Sequence, residues 1–326
     1  MTRSSIAILF FTCITHFGTA PSPPGNRVYH CLVYDAQLQK SILLDGYHEN
    51  PSPEFGEVWG WDGRLWAKLP GKGPLVRGGG ACSYDSKRNK LVLFGGLHYR
   101  GSDAGKLMGD TWEWDGSKWS EMKVAAPQAR AWHSMAYDAA RERTVLFGGN
   151  TDFGQTSFAD TWEWDGNKWT KINVSGPGPR SDFAMVFDAQ RKKIVLFGGQ
   201  AKKDDSENGK VFSDTWTWDG KTWEKISDGG PAARTQHRMV YDSKDASIIV
   251  QGGNSIKGGI LSDMWMLKGN KWTEINQGSS SPGKKVMHAM CYDEKRDKLL
   301  LYGGGNGEVI FSDTWEWDGK KWNRIS

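Results

Sequence analysis

The sequence predicts an all-β chain, a six-bladed β-propeller of four-stranded antiparallel blades. Three observations carry that prediction. A tryptophan-rich stretch, DTWEWDGNKWTKI from Asp160 to Ile172, recurs as DTWEWDGSKWSEM from Asp110, DTWTWDGKTWEKI from Asp214 and DTWEWDGKKWNRI from Asp313, with looser copies from Glu57 and Asp263. Glycine pairs, with Asp45-Gly46 counted as the first, start at 45, 95, 148, 198, 252 and 303, at intervals of 50, 53, 50, 54 and 51 residues. Each interval holds four short apolar segments separated by turn residues. A period near fifty with four strands per unit describes propeller blades, none of which can bury both faces alone.

Taken in order, each unit begins with a cation and a strand ending in an aromatic residue and Asp, as in RAWHSMAYD from Arg130, RSDFAMVFD from Arg180 and RTQHRMVYD from Arg234. A polar turn leads to a β-branched and aromatic run closed by the glycine pair, such as LVLFGG from Leu91 or TVLFGG from Thr144. A loop of variable length follows. The Trp hairpin closes the unit: Trp-x-Trp alternates at period two, as a half-buried strand does, and Asp-Gly supplies the tight reversal. The propeller takes up residues 27–326, in blades near 27–74, 75–127, 128–177, 178–231, 232–282 and 283–326.

Six glycine pairs in register, each followed by an aromatic-x-aromatic strand and a further Trp, resemble the kelch repeat, including the kelch repeats of the galactose oxidase central domain. The resemblance spans residues 27–326. It implies that the first strand of each unit lines the channel and the fourth forms the rim. It further implies blades made from contiguous repeats, with no strand exchanged between the ends of the chain. Side-chain packing between blades six and one would then close the ring.

The N-terminus reads separately. Ile6 to Ile14 is an apolar run after Arg3, and Gly18-Thr19-Ala20 gives small residues before Pro21, the pattern of a cleaved secretion leader over residues 1–20, with 21–26 as a linker. The run is too short to span a bilayer. A lipid anchor at Cys13 is the alternative, although Phe-Phe-Thr before it fits a lipobox poorly. The expected location is secreted or periplasmic. Cys31, Cys82 and Cys291 remain, an odd number that excludes full pairing within one chain. They read as buried free thiols, with one disulfide and a free thiol as the alternative. A formal charge of +4 with scattered basic residues argues against nucleic acid, and a monomer is expected.

Repetition sorts the side chains, since one ligand cannot use six copies equally. Asp35, Asp85, Asp138, Asp188, Asp242 and Asp293 recur in every unit and should bond backbone N–H groups of the next turn. Seventeen of the 18 tryptophans sit at repeat positions, all but Trp132, and belong between blades. The opening cations (Arg27, Arg77, Arg130, Arg180, Arg234 and Lys285) have two readings. Each could bond the aspartate before a Trp hairpin (110, 160, 214, 263 or 313), or together they could ring one channel mouth and hold an anion. His30, His133, His237 and His288 share one strand position, read as structural, so no metal and no cofactor is expected. The long loops after the glycine pairs, Leu97 to Gly109, Gln200 to Ser213, Asn150 to Ala159 and Tyr47 to Gly56, share one face. They offer Tyr99, Arg100, Tyr47, His48, Asp152 and Phe153 for binding.

The expected function is a non-enzymatic scaffold that binds a protein or glycan on the long-loop face. Its candidate ligand-binding residues are Arg77, Arg130, Arg180, Arg234, His133, His237, Tyr99, Arg100, Asp152 and Phe153. No catalytic residue is assigned. The alternative comes from exported six-bladed propellers resembling kelch proteins that act as mutarotases on sialic acid, which need an anion-binding Arg and a general acid/base near the channel. Copper radical chemistry like that of galactose oxidase fits poorly, because the strand-one Tyr recurs in five of six blades as packing.

Overall fold

The computed structural model describes residues 24–48, 55–151, 156–201, 209–278 and 280–326. Six antiparallel blades follow one another in chain order, each with its four strands hydrogen-bonded in sequence. The first strands are Cys31–Asp35, Ala81–Asp85, Ser134–Asp138, Ala184–Asp188, Arg238–Asp242 and Ala289–Asp293. They contact one another around the ring, the first touching both the second and the sixth, and so line a central channel. Blade two departs from the pattern, its second strand running on through Lys90–His98 to meet the short edge Arg77–Gly78. Among the described residues no helix is long and apolar enough to cross a membrane.

Strand alternation explains how each sheet glues two seams at once. In the second strand of blade three, Arg143–Phe147, Val145 and Phe147 pack against Met185, Ile194 and Leu196 of blade four, while Leu146 packs against Val92 and Phe94 of blade two. Tryptophans finish each wedge: Trp218 and Trp223 join the seam between blades three and four, and Trp164 and Trp169 the one before it. A buried indole removes about 150–250 Å² from water, so these rings dominate seam packing. They are also bonded. Trp169 Nε1 donates to Thr111 Oγ1 of the previous blade at 2.9 Å, and Trp223 Nε1 to Thr161 Oγ1 at 3.0 Å.

The repeated aspartates hold the turns that follow them. Asp138 Oδ1 accepts from the N–H groups of Ala140 and Arg141, and Asp85 Oδ1 from those of Lys87 and Arg88. The glycine pair answers a packing demand. A Cβ on Gly148 would lie 2.9 Å from a ring carbon of Phe183 in the next blade, and one on Gly149 would lie 2.7 Å from Cβ of His133 in its own. Both glycines also have positive φ, +64° and +88°. Cys31, Cys82 and Cys291 are all free thiols, in three different blades.

Closure between blades six and one involves more than side-chain packing. Backbone bonds run from Arg27 N to Phe311 O at 3.2 Å and from Gly304 N to Arg27 O at 3.0 Å. Trp61 Nε1 donates to Glu316 at 3.2 Å and Trp66 Nε1 to Thr314 at 3.0 Å, repeating the bonds of the interior seams. The ends of the chain therefore meet as neighbouring repeats do, without strand exchange.

Candidate functional site at the channel mouth

Just before each inner strand, on the face carrying the glycine-pair loops, one residue per blade takes a left-handed backbone: Tyr29, Gly79, Trp132, Asp182, Gln236 and Met287, with φ between 56° and 67°. Their peptides form a closed hydrogen-bonded circle. Gly79 N donates to Tyr29 O, Trp132 N to Gly79 O, Asp182 N to Trp132 O, Gln236 N to Asp182 O, Met287 N to Gln236 O and Tyr29 N to Met287 O, at 2.7–3.1 Å. Five of the six are not glycine, and each carries a left-handed cost of roughly 1 kcal/mol or more. The backbone is thus identical at six places where the side chains are all different.

Those side chains make a graded surface. Tyr29 stands edge-on to Tyr47 at 6.0 Å between centroids and to Trp132 at 6.1 Å, and Tyr47 lies 4.3 Å from Tyr99. The space comes from Gly78 and Gly79, whose Cβ atoms would meet Tyr47 at 2.4 Å and Trp132 at 3.0 Å. Opposite the aromatics, Gln236 Nε2 donates to Tyr29 Oη at 2.7 Å, and the Asp182 carboxylate accepts from Ser181 Oγ at 2.9 Å and Gln200 Nε2 at 3.1 Å. Burial, with Asp182 adding to it, pushes the Tyr29 phenol well above its usual range; burial pushes Tyr47 up to about 12. Both phenols are therefore neutral donors at ordinary pH.

The sequence-designated arginines lie elsewhere. Arg77, Arg130, Arg180 and Arg234 are buried and held by Asp110, Asp160, Asp214 and Asp263, each through two N–H groups. For Arg130 the remaining N–H groups reach Gln128 O at 3.0 Å and Gly148 O at 2.9 Å, and the guanidinium lies 3.8 Å from the Phe158 centroid. With four hydrogen bonds each to groups of their own blade, the four cations form an internal frame. His133 and His237 pack edge-on against Phe94 and Phe197 of the preceding blades. Burial, then the neighbouring Arg130, holds His133 down to about 3, and His237 lies well below its usual value for the same kinds of reason. Neither imidazole is charged, and among the described residues no cluster of His, Cys, Asp and Glu could hold a metal ion.

Tyr99 and Arg100 do reach the mouth face. From blade two, Tyr99 Oη donates to Gly46 O and Arg100 Nη2 to His48 O at 3.3 Å, fastening the loop that carries Tyr47. Asp152 and Phe153 lie outside the described residues. The ring residues Tyr29, Trp132, Asp182, Gln236 and Met287 were missed by the sequence reading, although a signal was present: Trp132 is the one tryptophan off the repeat.

Beneath the ring the channel narrows to a cavity of about 150 Å³, lined by His30, His133, Phe183 and the starts of the inner strands. One charged side chain lines it, Arg238.

Comparison with known proteins agrees with this architecture. The family model described as the KLHDC2/KLHL20/DRC7 Kelch-repeats domain matches residues 162–326. No curated protein matches the sequence. The solved structure of YjhT superposes with a TM-score of 0.71 over 94% of this chain and 99% of that one, at 15% identity, a likeness of fold alone. With half of the chain under one family model and the glycine pair, Trp hairpin and blade order present around the ring, the protein belongs to the kelch-repeat family.

Proposed function

We propose that this chain is an exported binding scaffold that docks a protein segment or a glycan at the channel mouth. The kelch propeller fold suggests a protein-binding scaffold, and one observation supports placing the docking site: a ring of fixed left-handed backbone carries six different side chains. A position kept for packing would keep its residue, as the buried arginines and tryptophans do. The partly exposed aromatics of Tyr29, Tyr47 and Trp132 suit the apolar face of a sugar or an aromatic or aliphatic side chain, and the amide of Gln236 supplies polar contacts.

A photo-crosslinking residue at position 132 should capture the partner, and the same residue at the rim position 162 should not. Trp132→Ala should lower affinity for that partner, or for a glycan found on an array, by about tenfold or more, while the melting temperature is kept. Equal crosslinking at 132 and 162 would place the docking site elsewhere. Export is tested by mass: the secreted protein should begin at Pro21, and an intact leader would defeat that part of the reading.

The alternative, a mutarotase-like enzyme acting on an acidic sugar, needs an unengaged cation and a group that exchanges protons near neutral pH. The aspartate-bound arginines and uncharged histidines assigned to those roles do not supply them. Arg238 in the channel has no ion-pair partner, but His30, His133 and the Cys82 thiol, which share its cavity, do not exchange protons near neutral pH. The scaffold reading is therefore preferred.

A further inference from the structure

The first residue of each inner strand faces the channel axis, and five of the six are small: Cys31, Ala81, Ser134, Ala184 and Ala289. In blade five the same position is Arg238. An arginine directed into a channel by a repeat that otherwise places Ala, Ser or Cys is the largest departure from the repeat inside the ring. No carboxylate of the described residues lies within ion-pair distance of it. Among the described residues its one hydrogen bond runs from Nη1 to the backbone oxygen of His237 at 3.0 Å. This contrasts with the opening arginines of blades two to five, each of which has its own aspartate. Burial pulls Arg238 below its usual value, outweighing Tyr29 and the Asp182 carboxylate, which act the other way, and its charge helps to hold His30, His237 and His288 down. The nearby Cys82 thiol is driven well up by burial and by Cys31, so no thiolate supplies the missing charge.

A guanidinium with five N–H donors and one protein acceptor, opening on a cavity, is suited to hold an anion. Charge and size narrow the ligand. No second cation lines the cavity, so one negative charge is balanced and a dianion is not. Around the guanidinium the volume is about 150 Å³, room for a few heavy atoms. Next along the strands, Met135, Met185, Met239 and Met290, whose side chains also pack in the seams, line the same cavity and suit a short apolar body. Past the methionines the channel opens again into a space of about 380 Å³. The route in passes between Tyr29, Trp132, Asp182 and Gln236, which line the space between the mouth and Arg238; the Asp182 carboxylate there is bonded to Ser181 and Gln200.

We propose that the central channel binds a small monocarboxylate, its two oxygens held by the Arg238 guanidinium and its short apolar body against the methionines. This site lies below the docking ring and does not depend on what the ring binds.

The test is thermal unfolding of the mature protein titrated with sodium acetate and sodium propionate, with sodium chloride and sodium phosphate matched for ionic strength. Both carboxylates should raise the melting temperature in a saturating manner, and chloride and phosphate should not. Arg238→Ala installs the residue of blades two, four and six. It should melt higher than the native protein without ligand, because an unneutralised cation has been removed, and should not respond to carboxylate. Arg238→Lys keeps the charge without the fork and should respond more weakly. Equal carboxylate shifts in the native protein and Arg238→Ala would overturn the proposal, as would no shift in the native protein or an equal rise with chloride. A loss of crosslinking at position 132 with these responses intact would defeat the docking reading alone.

Discussion

Two seams of the ring differ in a way that chain connectivity does not predict. The seam between blades six and one joins the two ends of the propeller without an exchanged strand, yet it carries the full set of interior bonds: Trp61 to Glu316, Trp66 to Thr314, and the backbone pair through Arg27. The seam between blades one and two lies within a continuous chain and lacks several of them. Val58 stands where blades two, three, four and six place the Thr that accepts from the next Trp, and Gly60 where blades two, three and six place a Glu. As a result the Nε1 groups of Trp114 and Trp119 are buried with no partner. Covalent continuity does not settle which of these two seams is fully bonded; the acceptors on the neighbouring third strand do.

The same seam holds a swapped pair. Elsewhere the first glycine of one blade makes room for the ring of the next, as Gly148 does for Phe183 and Gly198 for His237, each with a 2.9 Å approach. Between blades one and two the glycine position is Asp45 and the ring position is Gly80. Asp45 has φ +56°, and both of its carboxylate oxygens are buried without a hydrogen-bond partner. Blade one also replaces the framing aspartate with Glu57, which bonds Lys68 and Trp59 and not Arg27. The irregular seam lies beside Tyr47 and Tyr99, next to the aromatic half of the mouth.

The largest effect should come from breaking the internal frame of a regular blade. Asp160→Ala leaves Arg130 buried without its partner and should cost about 3–5 kcal/mol in chemical denaturation. A loss under 1 kcal/mol would show that the frame bonds are dispensable. The opposite change repairs the irregular seam. Asp45→Gly removes a left-handed residue and an unpartnered carboxyl and should stabilise the protein by about 1–3 kcal/mol at neutral pH.

The two substitutions also part company in their pH dependence. Burial lifts the Asp45 carboxyl to about 7, against the pull of Arg77 and Arg27. An acid with a raised folded value is better tolerated when protonated, so its penalty is absent below about pH 4 and grows as pH rises through about 7. The advantage of Asp45→Gly should therefore widen from pH 4 to pH 8. Asp160 has the other sign. Burial raises it, but the Arg130 hydrogen bond and charge outweigh that and hold it below its usual value, so its contribution is present above about pH 4 and lost on acidification. Parallel profiles for the two variants would show that Asp45 is not the distinctive group at its seam.

The fold was legible in the sequence because every blade must solve one packing problem, and the solution is written six times as glycine pair, Asp turn and Trp hairpin. The pairing of Arg77 with Asp110 and Arg130 with Asp160 was legible as one of two readings, both residues of each pair being repeated at fixed spacing. The mouth ring was not, because what repeats there is a backbone angle and no residue type marks it. Arg238 was hidden differently: within RTQHRMVYD it reads as one more strand residue until the small residues at the equivalent positions show what it displaces.

The smallest effect is the sharpest test of why the irregular seam is weak. If the acceptor on the third strand sets seam strength, then Val58→Thr should give Trp119 the bond that Trp169 makes with Thr111, at nearly constant volume. Val-to-Thr at a buried position ordinarily destabilises, because the new hydroxyl is desolvated. Here it should be neutral or stabilising by about 1 kcal/mol, since one new donor–acceptor pair removes an unsatisfied indole N–H. The control is Val145→Thr, in a seam whose indoles already have partners; it should lose about 1–3 kcal/mol for an unpaired hydroxyl. Equal losses at both sites would mean that Trp119 gains no partner and that the weakness of the seam lies with Asp45 alone.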